Sequence, residues 1–303
     1  MDNMIQEYCG KCEICIQNKS RRNREIGLLS QLGPAKQPYE IMSLDTIGGL
    51  AGNRSAKKYL HLLADHFTRH AFTSSSKGQS AKDFIKLLQP IVANNKINIL
   101  LTDQYPAIKS GKFQDFLRAH GITIVYTAVD CPTSNGLNER LNQTLVNRIR
   151  CKMREKPGKT WPTIAAECTK EYNQSMHSAT KFAPEYFLTG KDSRIVPIEL
   201  EIKQDLEEDR QTAFKNSQDN HLKNKIRTDQ RRKEAEFEVD DYVYIENGNK
   251  LNKNKLDPIR SGPYRVRERV SKHLYKIDLK NWKNKNNLFH TSKLIACKHG
   301  RPL

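Results

Sequence analysis

"KINILLTDQYPAIKSGKFQDFLRAHGITIVYTA", residues 96–128, decides how this chain folds. Its first piece, "KINILLTD", is a short apolar run and reads as a buried strand. "GKFQDFLRAHG" reads as a helix closed by Gly121, because glycine takes the left-handed conformation that ends helices at no steric cost. "ITIVYTA", rich in β-branched and aromatic residues, returns to strand. Upstream, "IMSLDTIG", "KYLHLLADHF" and "HAFTSSS" are three further strands, and "SAKDFIKLLQPIVANN" is a helix capped by Ser80. Downstream, a loop with Pro132 and Gly136 gives way to a long helix beginning in "CPTSNGLNERLNQTL" (131–145), and "TWPTIAAECTKEYNQSMHSAT" (160–180) follows. The order βββαβαβαα predicts an α/β domain with a mixed sheet over residues 38–190.

The flanking segments differ in composition. Residues 1–36 are Cys-rich and then basic ("NKSRRNR"), and the breakers Gly33, Pro34 and Pro38 mark a boundary. Between Gly190 and Gly248 there is no glycine, and residues 199–236 hold 10 acidic and 9 basic side chains, so 191–236 is expected to be a solvated, charged helical linker. Residues 237–303 break into "FEVDDYVYIENG", "GPYRVRERV", "HLYKIDL" and "NLFHTSKLIA", short strands split by turns, as in a small all-β barrel or sandwich. That segment carries 15 Lys and Arg against 7 acids.

Across all 303 residues, 52 Lys and Arg against 34 Asp and Glu leave a net charge of +18. Such an excess favours a polyanionic partner, nucleic acid first, through phosphate contacts and counterion release. No apolar run approaches the roughly 18 residues of a membrane-spanning helix, and the polar start lacks the apolar core of a signal peptide. No membrane partner is expected, and the chain should be intracellular. Seven scattered cysteines, an odd number, do not suit a secreted disulfide framework.

On the helix from Leu137, the residues Leu141, Leu145, Ile149 and Met153 form an apolar stripe, and Glu139 lies nearly opposite it, beside Asn142, Gln143 and Arg150. A lone carboxylate at a helix start is ordinarily an exposed charge, favoured by the dipole by about 0.3–1 kcal/mol. Asp45 and Asp103 change that reading. Asp45 falls within the strand "SLDTIGG" and Asp103 is read as ending "ILLTD", both among apolar residues, and aspartate is a poor strand former. Carboxylates at strand ends are well placed to hold a metal. Three together repel unless cations neutralise them, and Mg²⁺ or Mn²⁺ takes oxygen ligands of this kind. Two such ions, about 3.5–4 Å apart, serve phosphoryl transfer.

Asp103 and Glu139 are separated by 35 residues, and residues 135–145 read Asn-Gly-x-x-Glu-Arg-x-Asn-x-Thr-Leu. Both features resemble the D,D(35)E core of retroviral and Ty3/gypsy long-terminal-repeat retrotransposon integrases. "HSATKFAPEYFLTG" (177–190) is similar to the end of that core in Ty3/gypsy elements, and "SGPYRVRERV", "YKID" and "FHTSKL" look like their GPY/F C-terminal module. The resemblance implies an RNase H-like core with a mixed five-stranded sheet and an SH3-like C-terminal domain. It implies a polynucleotidyl transferase that processes 3′ ends and joins element DNA to target DNA, with Asp45, Asp103 and Glu139 binding two Mg²⁺ (or Mn²⁺) ions. It also implies that Asn142, Gln143, Arg140 and Arg150, with Arg265 and Arg267 of the C-terminal module, face DNA. A homo-multimer working in the nucleus after cytoplasmic transit is expected. The rival expectation is an integrase-derived protein that binds DNA or chromatin without catalysis.

This sequence departs from the family at Asp103-Gln104-Tyr105-Pro106, where Asp-x-Gly is common, and at Cys131-Pro132-Thr133, where His-Pro-Gln is often found. Cys12 and Cys15 resemble half of the family's N-terminal zinc module. A structural zinc takes four ligands, so this site is expected to be incomplete, with Cys9 the nearest further candidate, and the chain to be a truncated or excised piece. Asp65 reads as a strand-end or turn residue, and His61, His66 and His70 as packed or solvated histidines without metal spacing. "RRNR" and "RRKE" read as solvated charge runs or phosphate contacts.

Overall fold

The computed structural model describes residues 4–5, 8, 12–18, 25–26, 34–50, 55–127, 136–191, 205–230, 232–246, 258–279 and 287–297. In chain order these form α1 (Glu13–Asn18), β1 (Glu25–Ile26), β2 (Ile41–Ile47), β3 (Tyr59–Asp65), β4 (Ala71–Ser76), α2 (Ala81–Val92) and β5 (Ile99–Thr102). Then follow α3 (Gly111–Ala119), β6 (Thr123–Tyr126), α4 (Gly136–Glu155), α5 (Trp161–Gln174), α6 (Pro184–Thr189) and α7 (Leu206–Asp229). The last stretch holds β7 (Arg232–Lys233), β8 (Tyr242–Glu246), β9 (Arg260–Ser271), β10 (Leu274–Asp278), β11 (Leu288–His290) and β12 (Leu294–Ala296). Two compact units divide the chain: residues 32–127 with 135–224, and residues 1–31 with 128–134 and 225–303.

The larger unit is an RNase H-like α/β fold. Its five strands lie in the order β4-β3-β2-β5-β6. The meander β2–β3–β4 is antiparallel, whereas β5 and β6 join in parallel. The crossover α3 makes this possible, since parallel neighbours need a long connection. Each helix starts and stops for local reasons. Asp83 accepts the Ser80 N–H at 2.9 Å and the Ser80 hydroxyl at 2.6 Å, closing the start of α2. Gly121, at φ 64°, turns the chain out of α3 into β6.

Both sheet faces are covered. On one, α2 and α3 bury Phe84, Leu88 and Phe113 against Met42, Leu44 and Leu100. On the other, the α4 stripe Leu141, Leu145 and Ile149 packs with Trp161 and Ile164 of α5 against Leu60, Leu62 and Ala64. Burial of this stripe turns the opposite side of α4 outward, and Glu139 with it.

The charged segment before the C-terminal domain is more than a solvated linker. The first half of α7 docks on the α/β unit: Ala213 is buried with Ala35, Ile41, Phe67 and Phe187, and the Tyr186 hydroxyl donates to Asp209 at 2.5 Å. The compact α/β unit thus reaches residue 224 and takes in part of the 191–236 stretch expected to be solvated.

The smaller unit is a five-stranded antiparallel sheet, β11-β10-β9-β8-β12, around Val243, Val266, Tyr275, Ile277 and Phe289. Residues of the N-terminal stretch pack within this same unit. The Arg260 guanidinium donates to the Ile16 carbonyl of α1, and β1 pairs in parallel with β7. Among the described residues no helix is long and apolar enough to cross a membrane.

Candidate active site

Asp45 projects from β2, the central strand, on the same face as Ser43 two residues earlier. Two asparagines one turn apart on α4 meet this pair. Asn142 Nδ2 donates to Asp45 Oδ2 at 2.7 Å, and the Ser43 hydroxyl donates to Asn138 Oδ1 at 2.6 Å. Together they pin the start of α4 across the sheet and place Glu139, between them, at its edge. Asp45 Oδ1 accepts the N–H of Thr46 at 2.7 Å. Asp103 falls one residue beyond β5 instead of within it. The parallel register pairs Leu44 with Thr102, so Asp45 and Asp103 are the next step outward on neighbouring strands.

The electrostatics centre on Asp45. Burial raises its pKa above the ordinary carboxylate range, and the Thr46 and Asn142 N–H groups offset part of that rise. Asp103 is raised by burial and then by the charge of Asp45, with the Tyr105 N–H opposing. Glu139, although exposed at the start of α4, is raised by partial loss of solvent and again by the charge of Asp45. Each carboxylate is therefore held in surroundings that disfavour its charge, the condition a divalent cation reverses. The donor set is all oxygen, and among the described residues the buried Asn142 Oδ1 beside it has no partner. These residues suit a hard cation. Among the described residues, however, no three His, Cys, Asp or Glu side chains come close enough to hold one ion together. The coupling runs pairwise, Asp45 with Asp103 and Asp45 with Glu139.

Other candidates fall in different places. Gln143, Arg140 and Arg150 are exposed on α4, and Arg150 donates to Asn147 at 3.1 Å. Arg265 and Arg267 are exposed on β9 in the smaller unit. Arg265 Nε bonds Asp240 at 2.7 Å, while Arg269 and Lys276 pair with Glu236 and Glu268. The strand is thus less free for phosphates than its basic count suggests, and among the described residues Arg267 has no ion-pair partner. Cys12 and Cys15 flank the start of α1 as free thiols, and the same absence of a three-ligand group holds around them. Cys9 and the Cys131-Pro132-Thr133 loop lie outside the described residues. Asp65 is fully buried at the end of β3, and His61 is buried between the Thr46 hydroxyl at 2.9 Å and the Ser76 hydroxyl at 2.7 Å.

Sequence reasoning missed Ser43 and Asn138. The available signal was the four-residue spacing of Asn138 and Asn142 on a helix, matching the two-residue spacing of Ser43 and Asp45 on a strand.

An RNase H-like sheet with carboxylates on two adjacent central strands and on the helix that crosses them, followed by an SH3-like domain, defines a class of polynucleotidyl transferases. Residues 35–132 match the integrase core domain, and residues 240–298 match the Tf2-1-like SH3 domain. The first match ends before Glu139, whose place in the site rests on geometry. The Transposon Tf2-3 and Tf2-4 polyproteins of Schizosaccharomyces pombe are each 27% identical over 99% of this chain and 24% of their own length. The chain spans about a quarter of these curated relatives. A simian T-cell lymphotropic virus intasome, solved in complex with PP2A regulatory subunit B56 gamma, aligns with a TM-score of 0.61 at 15% identity. It covers 98% of this chain and 91% of that one, a likeness of fold. The chain thus carries an integrase core domain, and along nearly its whole length it is similar to retrotransposon polyproteins.

Proposed function

We propose that the chain carries out 3′-end processing of element DNA and its strand transfer into target DNA. The observation that carries this reading is the set of carboxylates coupled through Asp45 and held by Asn142. In the first step water attacks a phosphodiester phosphorus, the bond to the 3′ oxygen breaks, and a free 3′-hydroxyl is left. In the second that hydroxyl attacks a target phosphorus and displaces the target's own 3′ oxygen, so bonds are exchanged one for one. Two Mg²⁺ ions, when bound, would supply charge neutralisation and activation of the attacking oxygen. Asp45, Asp103 and Glu139 are the residues that would hold them.

The protein's remaining task is to position the DNA and to stabilise charge. Gln143, Asn142 and the exposed Arg140 flank Glu139 on α4, where a strand end would lie, and Arg150 follows further along the helix. Arg267 and its neighbours on the SH3-like domain would add phosphate contacts without base readout. Joining two element ends at once calls for a homo-multimer, and reaching chromosomal DNA calls for the nucleus.

A strand-transfer assay with a labelled element-end duplex, Mg²⁺ and the full chain tests the proposal, with Asp103→Asn as the inactive control. Joined product from wild type and none from the variant is expected. If both bind DNA and neither joins it, the catalytic reading fails.

A further inference from the structure

Arg69 lies in the turn between β3 and β4 with φ at 68°, a left-handed conformation that arginine seldom adopts. The turn is organised by Asp65, whose carboxylate accepts the N–H groups of Tyr39 at 3.2 Å, Phe67 at 3.4 Å and Thr68 at 3.1 Å, and the Thr68 hydroxyl at 2.6 Å. Asp65 is thus satisfied by neutral donors, and among the described residues it accepts nothing from the Arg69 guanidinium. Among the described residues the Arg69 Nε is buried without a hydrogen-bond partner, and so are His66 Nε2 and His70 Nδ1.

Three other groups lie within electrostatic reach of this arginine: Tyr172 near the end of α5, Arg140 at the start of α4, and His177 beyond α5. Arg148 adds its charge from the Tyr172 side. The wall is fixed. Asn173 clamps the end of α5 to β4 through the N–H and the carbonyl of Ala71, 2.9 Å each, and the Tyr172 and His177 rings meet edge to face at 6.3 Å.

Burying a donor on a charged group without a partner is costly. With two further arginines nearby and Asp65 already satisfied, no group among the described residues answers Arg69 Nε, and an anion from outside would. A phosphate oxygen suits it, since guanidinium groups bind phosphate in fixed fork geometry. Arg140 immediately follows Glu139, so an anion held between Arg69 and Arg140 lies beside the acidic residues. We propose that Arg69 and Arg140 form a clamp for one backbone phosphodiester of DNA, seating the strand against the acidic site. The proposal rests on the integrase reading, which brings a DNA strand to this edge.

The test is binding of a fluorescent duplex to the full chain by anisotropy, in EDTA so that no joining occurs, from 50 to 200 mM KCl. Each phosphate contact contributes about 0.9 to the slope of log affinity against log salt, roughly a 3-fold change over this range. Arg140→Gln, an exposed change with little risk to folding, is expected to lower the slope by one contact. Arg69→Gln should lower it similarly, with Arg69→Lys restoring part of the loss. Because both residues grip one phosphate, the double variant should lose no more than either single. The clamp is overturned if Arg140→Gln leaves the slope unchanged, or if the two losses add in the double variant. It is also overturned if inorganic phosphate protects wild type, and not Arg140→Gln, from thermal unfolding while the DNA slope stays the same, which would assign the site to a free anion. An intact clamp in a protein that fails to join DNA would sink the catalytic reading alone.

Discussion

Replacing Asn142 by leucine would remove a single bond from the acidic site. Its Nδ2 donates to Asp45 Oδ2 at 2.7 Å, while its Oδ1 is buried without a partner among the described residues. A hydrogen bond to a charged group contributes about 1.5–3 kcal/mol, and an unsatisfied buried acceptor costs about 1–3 kcal/mol, so loss of both leaves overall stability near its starting value. The effect falls on Asp45 instead, which keeps only the Thr46 N–H at 2.7 Å. Asn142 opposes the upward push of burial on Asp45, so its removal raises that pKa further. Activity that needs Asp45 ionised should then fail sooner on acidification, and the acid limb of strand transfer should move to higher pH. On the acid side, 1.5–3 kcal/mol corresponds to about a 10- to 100-fold loss of rate. Strand-transfer rates across pH, with thermal unfolding of the same preparations, provide the check. A limb at the same pH with rates within about twofold of wild type would refute the argument, as would a loss of rate that follows a fall in Tm.

Asp103→Asn should stabilise the metal-free protein while abolishing joining. A carboxylate raised in the fold weakens it as pH climbs past the unfolded value, and Asp103 is raised by burial and by Asp45. A gain on the order of 2–4 °C in Tm per kcal/mol recovered is expected in EDTA, with Mg²⁺ stabilising wild type more than the variant. An unchanged Tm under both conditions would count against it. His66 is pushed down to about 3, and His70 and His177 to about 4, burial being the first cause in each. The unfolded chain takes up protons from about pH 6.5 downward while these side chains stay neutral in the fold, so their stabilisation is lost between about 6.5 and 4. Asp45, Asp65 and Asp103 act in the opposite sense, so the comparison is His70→Gln, whose Tm should fall less over this window than that of wild type. Equal falls would remove His70 from the account. Ala213→Leu, at a position with 0% exposure, should cost about 1–3 kcal/mol by overpacking the α7 contact. Urea unfolding with no change in midpoint would deny that docking.

The strands and helices were legible because each rests on local signals. Apolar runs, the cap at Ser80 and the Leu141–Leu145–Ile149 stripe all act within a few residues of themselves. The docking of α7 was not legible, since the side chains it buries, Ala213 and Ser217, are small and carry little hydropathic weight among many charges. The pairing of Arg265 with Asp240 joins residues 25 apart across a sheet, so counting charges overstated the cations free for DNA.

The acidic site divides along the same line. That Asp45 and Asp103 were unusual strand residues was visible one strand at a time, but their adjacency comes from the parallel register that sets Leu44 against Thr102. Glu139 reaches the same edge because Ser43 and Asp45 meet Asn138 and Asn142 across 95 and 97 residues of chain. The turn that presents Arg69 is a stronger case still. Its conformation at φ 68° is imposed by the Asp65 carboxylate, and its cationic surroundings come from α4 and from the end of α5 and beyond. No spacing along the sequence joins those segments. A charge pattern that only the fold assembles is therefore where function beyond the acidic residues should be sought, and the salt dependence of Arg140→Gln measures it directly.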